Sequence, residues 1–331
     1  MKTINSILSL LVLVCLASAC SALAARVSTA TATAVAIAVP TALPQPTATR
    51  AATVTPLPAF TLVPGATGTP VGAALTVDAL RNMEFNLPVS QKTVRLVDGK
   101  YEAGSGADYL LVTIVAGPVA FGDMNGDGLA DAAVILGENN GGSGDFESLV
   151  VVFNQGGVPT QWAAAQIGDR VKVNSVAING QLVALDMLAQ GPNDPLCCPS
   201  LAETQTYRLT KGGLFLTGVT SRTPTGEARS ITIHSPLDFS EAGASVGIKG
   251  DFSIAPFENT FTYTIHDDSH HLLDQGSFQV KPDAQAGPGT FDVPIDLSKS
   301  SPGMIIHLAV QDVSAADGAI LALGSVQLLR K

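Results

Sequence analysis

The sequence has few charged side chains and few aromatic ones. Only 14% of its 331 residues are charged, 5% are aromatic, and there is one Trp. Basic residues number 18 against 28 acidic ones, which gives a net charge of −10. Nucleic-acid-binding surfaces are built from clustered Lys and Arg, so this balance excludes nucleic acid as an expected partner. By contrast, 46% of the residues are hydrophobic and there are 32 Gly and 20 Pro, a mixture typical of β domains joined by turns.

The N-terminal segment carries a short apolar run after a positive charge. Lys2 precedes ILSLLVLVCL at residues 7–16, which is too short to span a bilayer and indicates an export signal over residues 1–19. The signal ends in Leu-Ala-Ser-Ala-Cys at residues 16–20, which resembles the lipobox of bacterial lipoproteins. The resemblance implies that Cys20 is lipidated and that the protein is extracytoplasmic and anchored to a membrane. Ordinary signal cleavage, giving a free secreted protein, is the alternative.

Residues 20–76 lack the composition of a folded domain. Between residues 27 and 76 there are 12 Thr and seven Pro but one charged residue, Arg50. Such a segment cannot bury a core, and we expect it to be disordered. Fifty residues of this kind reach roughly 150 Å when extended and about 40 Å as a coil. We interpret the segment as a tether that holds the folded part away from the membrane, with a linker of no spacing role as the alternative.

The rest of the chain is patterned as two β-rich domains. Residues 77–221 contain apolar runs of strand length separated by turns such as Asn179-Gly180, after a short helix capped by Thr76. A polar linker follows at residues 222–228. Residues 229–331 contain about seven short runs, which predict an immunoglobulin-like sandwich.

The C-terminal domain carries landmarks over nearly all of its length. They are Ile231-Thr232-Ile233-His234-Ser235-Pro236, Gly250, Pro256-Phe257-Glu258-Asn259-Thr260, Tyr263-Thr264-Ile265, Gly276-Ser277-Phe278, Gln311-Asp312 and Ala316-Asp317-Gly318. In these the domain resembles the Gmad2 family, the immunoglobulin-like domain named for bacterial spore germination. The resemblance implies the fold and an extracytoplasmic binding or spacing role, with an envelope protein or polysaccharide as partner. The family has no known catalytic residues.

A loop in the first domain has the ligand spacing of calcium sites. Oxygen ligands fall at alternate positions, with Gly128 where the chain must turn; they are the side chains of Asp123, Asn125, Asp127 and Asp131 and the carbonyl of Leu129. Val134 stands where a helical EF-hand has Glu, and strand-like runs flank the loop, so it resembles the FG-GAP type. Glu138 or Asp145 could complete the shell. We predict structural calcium, with a plain turn as the alternative.

The predicted fold class is thus mainly β. A β-rich N-terminal domain with a calcium-type loop is followed by an immunoglobulin-like β-sandwich and preceded by a disordered linker.

Cys197 and Cys198 are the other notable pair in the first domain. Adjacent thiols outside the cytoplasm can form a vicinal disulfide, pair between molecules, or stay reduced. A metal-binding or redox role is a further alternative.

Three weaker patterns favour structural interpretations. Gly243 to Gly247 satisfies Gly-x-Ser-x-Gly but reads as part of a strand rather than a hydrolase elbow. The Gly-rich residues 137–145 lack the Lys of a phosphate loop and predict a hairpin loop. Residues 266–271 could hold zinc through His and carboxylate but lie where a hairpin turn is expected, and His234 and His307 fall singly within strands.

The sequence therefore predicts a non-enzymatic, membrane-anchored lipoprotein that binds or spaces cell-envelope components. A cell-wall hydrolase or a thiol redox enzyme in the first domain is the alternative.

Overall fold

A computed structural model describes residues 72–115 and 117–331. The predicted signal segment, Cys20 and the tether up to residue 71 lie outside these residues. Strands dominate the described chain, which confirms the mainly β fold class. A membrane-crossing helix, of sufficient length and apolar character, is not found in this described part.

The elements follow one another with short connections. In chain order they are α1 Val77–Arg81, β1 Glu84–Asn86, β2 Thr93–Arg95, β3 Lys100–Ala103, β4 Leu110–Ile114, β5 Ala120–Gly122, β6 Asp131–Asn139, β7 Phe146–Gln155, β8 Val158–Asp169, β9 Lys172–Asn179, β10 Leu182–Ala189, β11 Leu201–Thr210, β12 Gly213–Arg222, β13 Ala228–Arg229, β14 Ile231–Ser235, β15 Ser240–Ala242, β16 Ser245–Phe252, β17 Thr260–Asp267, β18 Leu272–Gln279, β19 Gly289–Asp296, β20 Ile305–Val313 and β21 Ile320–Arg330. Single 3-10 turns lie at Gly106–Asp108 and Phe257–Asn259.

The first part of the described chain is organised around a six-stranded sheet. Its strands follow the order β3-β4-β6-β7-β8, with β5 paired to β6. One face packs against α1 and the small β1–β2 sheet, and the other packs against β9, β10 and β11. Because both faces are covered, the central strands β6 and β7 are buried along nearly their whole length. This double burial explains why both read in the sequence as continuous apolar runs.

The last part of the chain is a two-layer sandwich. A three-stranded sheet in the order β14-β16-β19 faces the strands β18-β17-β20-β21. The shared core takes Ile248, Phe252 and Phe291 from the first layer and Phe261 and Leu308 from the second. The burial of these side chains between the two layers is what stabilises the sandwich.

The two parts share one sheet. β12 pairs antiparallel with β21, so a continuous path of strands runs β18-β17-β20-β21-β12-β11-β10-β9. Ser325 Oγ reinforces the join by donating to the carbonyl of Thr217 at 2.9 Å. Arg229, the first residue after the predicted linker, pairs at 2.8 Å with the buried Asp312 carboxylate of β20. Residues on both sides of the predicted boundary therefore contribute to one hydrogen-bonded framework.

Candidate calcium loop and other predicted sites

The calcium-type loop closes a β-hairpin. β5 and β6 pair antiparallel, with Gly122 opposite Asp131, and residues 123–130 form the connection. Gly126 and Gly128 have φ of 81° and 85°, a backbone region that glycine reaches without the steric cost other residues pay. A loop between strands is the setting expected of the FG-GAP type and differs from the helix-flanked loop of an EF-hand.

The exposed side chains of the loop fold back onto its own amides. Asp123 accepts hydrogen bonds from the amides of Gly126 and Gly128, at 2.7 and 2.9 Å. Asn125 Oδ1 accepts from the Asp127 amide at 2.9 Å, and Asp127 Oδ1 accepts from the Leu129 amide at 2.7 Å. These bonds gather three side chains with oxygen ligands on one short loop. Each carboxylate oxygen has a second lone pair that remains available to a cation.

Asp131 differs from the other loop residues because it is fully buried. Its Oδ2 accepts from the Met124 amide and its Oδ1 from the Asn154 amide, both at 2.9 Å. Met124 is itself buried in the core between the sheets, and Asn154 belongs to β7. One carboxylate therefore fixes both the start of the loop and its position on the neighbouring strand.

The loop also lies beside the first described residues of the chain. The side-chain amide of Asn154 donates to the carbonyl of Ala73 at 3.1 Å. A Cβ placed on Gly72 would meet the Leu129 side chain at 3.0 Å, so the loop and this segment are in direct contact. The point where the predicted tether reaches the folded body is thus attached to the calcium-type loop.

The donor set suits a hard cation in its chemistry. Asp123, Asn125, Asp127 and Asp131 offer oxygen ligands, the type that calcium prefers, and the Leu129 carbonyl is the fifth predicted ligand. Within residues 72–115 and 117–331, no three His, Cys, Asp or Glu side chains are already gathered at a common metal position. Calcium binding here would require the exposed side chains to converge on one position with the lone pairs that their amide partners leave available.

The structure separates Glu138 and Asp145 from this loop. Glu138 lies near the far end of β6 from Asp131, about 23 Å away at 3.3 Å per strand residue. Its carboxylate accepts from the amides of Val89 and Ser90, at 3.3 and 3.0 Å. Asp145 lies beyond that same end of β6, before β7. The expectation that either residue completes the calcium shell is therefore wrong, because an extended strand stands between them and the loop.

Cys197 and Cys198 are bonded to each other in the structure. They lie exposed in the loop between β10 and β11. Asp194 organises that loop by accepting from the amides of Gly191 and Ser200, both at 2.7 Å, and from the Ser200 hydroxyl at 2.6 Å. The Ser200 hydroxyl and these amides hold the pKa of the Asp194 carboxyl below its usual value.

The three weaker sequence patterns fall in a strand and in two hairpin turns. Ser245 begins strand β16 opposite Asp296 of β19, so the Gly-x-Ser-x-Gly segment runs into a sheet strand. The residues around Gly141 connect β6 to β7 as a hairpin, with Asn139 Oδ1 accepting from the Gly141 amide at 2.9 Å. Residues 268–271 connect β17 to β18, and His271 Nδ1 lies 3.0 Å from Asp267 Oδ2.

One cluster was not visible in the sequence. His307, taken singly, indicated nothing, yet the fold brings it together with His266 and His270 around the ring of Phe215. Spacing within any one segment could not reveal this group, because its members come from three strands and a turn. The same holds for Asn154, whose link to Asp131 spans two strands.

Comparisons of the chain with known proteins give no match. No family model matches it, and neither does any curated protein or solved structure. The resemblances to the Gmad2 family and to the FG-GAP loop therefore stay predictions that depend on the quoted residues.

Proposed function

We propose that this chain is a lipid-anchored, extracytoplasmic protein without catalytic activity, which binds or spaces cell-envelope components and uses calcium structurally. The observation that carries the proposal is the contact between the calcium-type loop and the segment that continues towards Cys20. Asn154 joins the two, since its amide binds Asp131 and its side chain binds Ala73. A structural ion at this position stabilises the root of the tether, where the folded body connects to its anchor.

The shared sheet supports a binding or spacing role. The pairing of β12 with β21 joins the calcium-loop part and the sandwich through backbone hydrogen bonds. A body held together in this way keeps its surfaces in fixed relation at the end of a long tether. We propose that its partner is an envelope protein or polysaccharide, and that the two acyl chains implied by the lipobox supply stable anchoring.

Lipidation is tested by labelling cells that express the full chain with a radioactive fatty acid. We expect label in the wild-type protein and none in Cys20→Ala, together with movement of that variant from the membrane to the soluble fraction. A wild-type protein that is soluble and unlabelled contradicts the anchor. Cys197→Ala/Cys198→Ala is the matched control, since it removes the bonded pair far along the chain and leaves the lipobox intact.

Calcium is tested by thermal melting of the chain with EDTA or with 10 mM calcium. If Kd is on the order of 10⁻⁴ M, as in extracellular modules, saturating the loop adds about 2.7 kcal/mol to the free energy of unfolding. We expect the rise in Tm to disappear in Asp127→Ala. It should persist in Asp283→Ala, which removes an exposed carboxylate elsewhere. An equal rise in both variants assigns the effect to general ionic screening and refutes the site.

The binding role is tested by pull-down from envelope fractions with the full chain as bait. The control bait is the tether alone, residues 20–76. We expect an envelope component that the full chain retains and the tether does not. Recovery of the same material by both baits contradicts a binding surface on the folded body and favours spacing alone.

A further inference from the structure

Two hairpin turns from the two parts of the chain touch each other. One joins β11 to β12 at Lys211 and Gly212, and the other joins β17 to β18 at residues 268–271. The amide of Gly212 donates to the Asp268 carbonyl at 3.0 Å. A Cβ on Gly212 would lie 2.8 Å from both that oxygen and Ser269 Cα. The backbones are therefore packed as closely as a glycine permits, and this contact lies apart from the β12–β21 pairing.

Beside this contact, three imidazole rings surround Phe215 of β12. The ring centroid of Phe215 lies 5.5 Å from that of His266, 5.3 Å from that of His270 and 4.4 Å from that of His307. His307 is 1% exposed. We call Phe215 and these three histidines the histidine cluster. Its aromatic centre comes from one part of the chain and its histidines from the other.

One side-chain hydrogen bond of the cluster crosses the same junction, and a second positions the β17–β18 turn from within the sandwich. His270 Nε2 lies 3.0 Å from the hydroxyl of Thr210, at the end of β11. His307 Nε2 lies 3.1 Å from Asp268 Oδ1, on the turn that receives Gly212. The histidines therefore hold the two turns in place as well as packing beside them.

Buried polar atoms without partners lie in the cluster and beside it. His266 Nδ1, Gln327 Oε1 and Arg208 Nε are buried side-chain atoms with no hydrogen-bond partner among the described residues. Gln327 Nε2 lies 3.3 Å from His307 Nε2. A proton added to His266 Nδ1 would be a buried donor that has no acceptor, which is costly inside a protein.

Charged and polar groups lie on the elements that pack against the cluster. β11 supplies Arg208, which is paired with Asp238 at 2.6 Å, and the following turn carries Lys211. The end of β17 and its turn supply Asp267 and Asp268, and β21 supplies the uncharged Gln327 described above.

Burial and nearby charges together determine the pKa values of the three histidines. Burial is the main influence on all three histidines and lowers the pKa of His266, His270 and His307. Asp268 raises the pKa of His270 and His307 and so opposes burial there. At His266, the neighbouring His270 and His307 lower the pKa further. The net result at each ring favours the neutral form.

We propose that the histidine cluster is an acid-sensitive latch between the β11–β12 turn and the β17–β18 turn. At neutral pH the uncharged rings pack around Phe215 and the turns stay in contact. Protonation places several positive charges around one buried ring, and the turns separate while the β12–β21 pairing still joins the two parts. A protein exposed outside the cytoplasm meets such changes of pH directly.

The direction follows from proton linkage. Because the closed latch holds histidines whose pKa lies below the ordinary value near 6.5, the open form binds more protons below that pH. The latch is therefore fully closed above about pH 6.5 and weakens as the pH falls. The ratio of open to closed forms rises by up to about tenfold per pH unit for each histidine that gains a proton on opening.

The test is hydrogen exchange of the full chain at pH 7.5 and pH 5.0, with exposure times scaled for the intrinsic pH dependence of exchange. We expect peptides covering residues 209–216 and 266–272 to lose at least about tenfold in protection at pH 5.0. Peptides from β6 and β7 should keep theirs. The variant His266→Gln/His270→Gln/His307→Gln should lose this pH response, whereas His234→Gln, at an exposed position outside both turns, should retain it.

Two outcomes would overturn the proposal. One is an unchanged pH response in the triple variant, and the other is an equal loss of protection in β6 and β7, which is global unfolding. If the triple variant does not fold, an NMR titration of the histidines in the wild-type chain decides. We expect His266, His270 and His307 to titrate below the ordinary histidine pKa near 6.5, and titration of all three at that ordinary value refutes the latch.

Discussion

Asp131 is the residue of the calcium-type loop whose removal should cost the most stability, even without calcium. Its carboxylate is fully buried and accepts from two backbone amides, those of Met124 and Asn154. Asp131→Ala leaves both amides without a partner and removes the tie between the loop and β7. We therefore expect this variant to be destabilised in the presence of EDTA, where no ion contributes.

The magnitude follows from the two bonds. A hydrogen bond to a charged group contributes about 1.5–3 kcal/mol, and a buried amide left unpaired carries a cost of similar size. Because the contributions of neighbouring bonds are not additive, we expect the loss of both bonds to lower the free energy of unfolding by about 4 kcal/mol. Asp131→Asn keeps one acceptor and should lose about half of that. Asp127→Ala affects an exposed side chain and should lose about 1 kcal/mol or less.

Urea unfolding in EDTA, followed by far-ultraviolet circular dichroism, measures these three free energies on one protein background. The order Asp131→Ala, then Asp131→Asn, then Asp127→Ala is the expected result. A loss below about 1 kcal/mol in Asp131→Ala, or equal losses in Asp131→Ala and Asp127→Ala, refutes the reasoning. Such a result would mean that the buried carboxylate is readily replaced, for example by water.

Two further predictions concern buried charges elsewhere in the fold. Burial and the nearby Asp145 raise the pKa of Glu147 from 4.5 to about 8, so the folded form keeps a proton that the unfolded chain releases. This proton contributes fully to the free energy of unfolding below about pH 4.5, and the contribution is lost as the pH rises towards 8. Between pH 5 and pH 8 we therefore expect the wild type to lose about 3.5 kcal/mol relative to Glu147→Gln in urea unfolding. Parallel stability curves would argue against this. Arg229→Leu leaves the buried Asp312 carboxylate without its cation and should cost about 3 kcal/mol by the same measurement. Adding Asp312→Leu should restore much of that loss, and no recovery in the double variant would show that the pair itself is not the cause.

Glu147 and the histidine cluster respond to pH in opposite directions. Loss of the Glu147 proton destabilises the fold as the pH rises, and protonation of the histidines destabilises the junction as the pH falls. The two effects occur in different places, between the sheets of the first part and at the contact of two turns. Hydrogen exchange resolved by peptide can therefore separate them.

Much of the local structure could be predicted from short stretches of sequence. Thr76 caps α1, and its hydroxyl accepts from the Ala79 amide at 3.1 Å, as the cap pattern predicts. Asn179-Gly180 joins β9 to β10 as a tight hairpin, because Gly180 takes a positive φ there. The apolar runs of β6 and β7 were predicted as strands. In each case the signal depends on residues a few positions apart, and those residues also determine the local conformation.

Two long strands have interrupted patterns in the sequence. β8 has two register shifts against β7, and only Ala163 and Ile167 of its 12 residues are buried. β12 contains Gly218 and a register shift of its own against β11. A glycine and a bulge both weaken the alternation by which a strand is recognised.

What the sequence by itself determined is the set of strands and turns with uninterrupted local patterns, and the order of oxygen-bearing residues in the calcium-type loop. Only the tertiary structure decided which distant segments meet. Ser325 and Thr217 form a hydrogen bond across 108 residues of chain. Asp131 accepts from the Asn154 amide on another strand. His307 packs around Phe215 with His266 of β17 and His270 of the β17–β18 turn. Such contacts depend on how whole sheets pack against each other. The free energy of each pairing is released only when both surfaces have formed, so no single segment of the sequence encodes it.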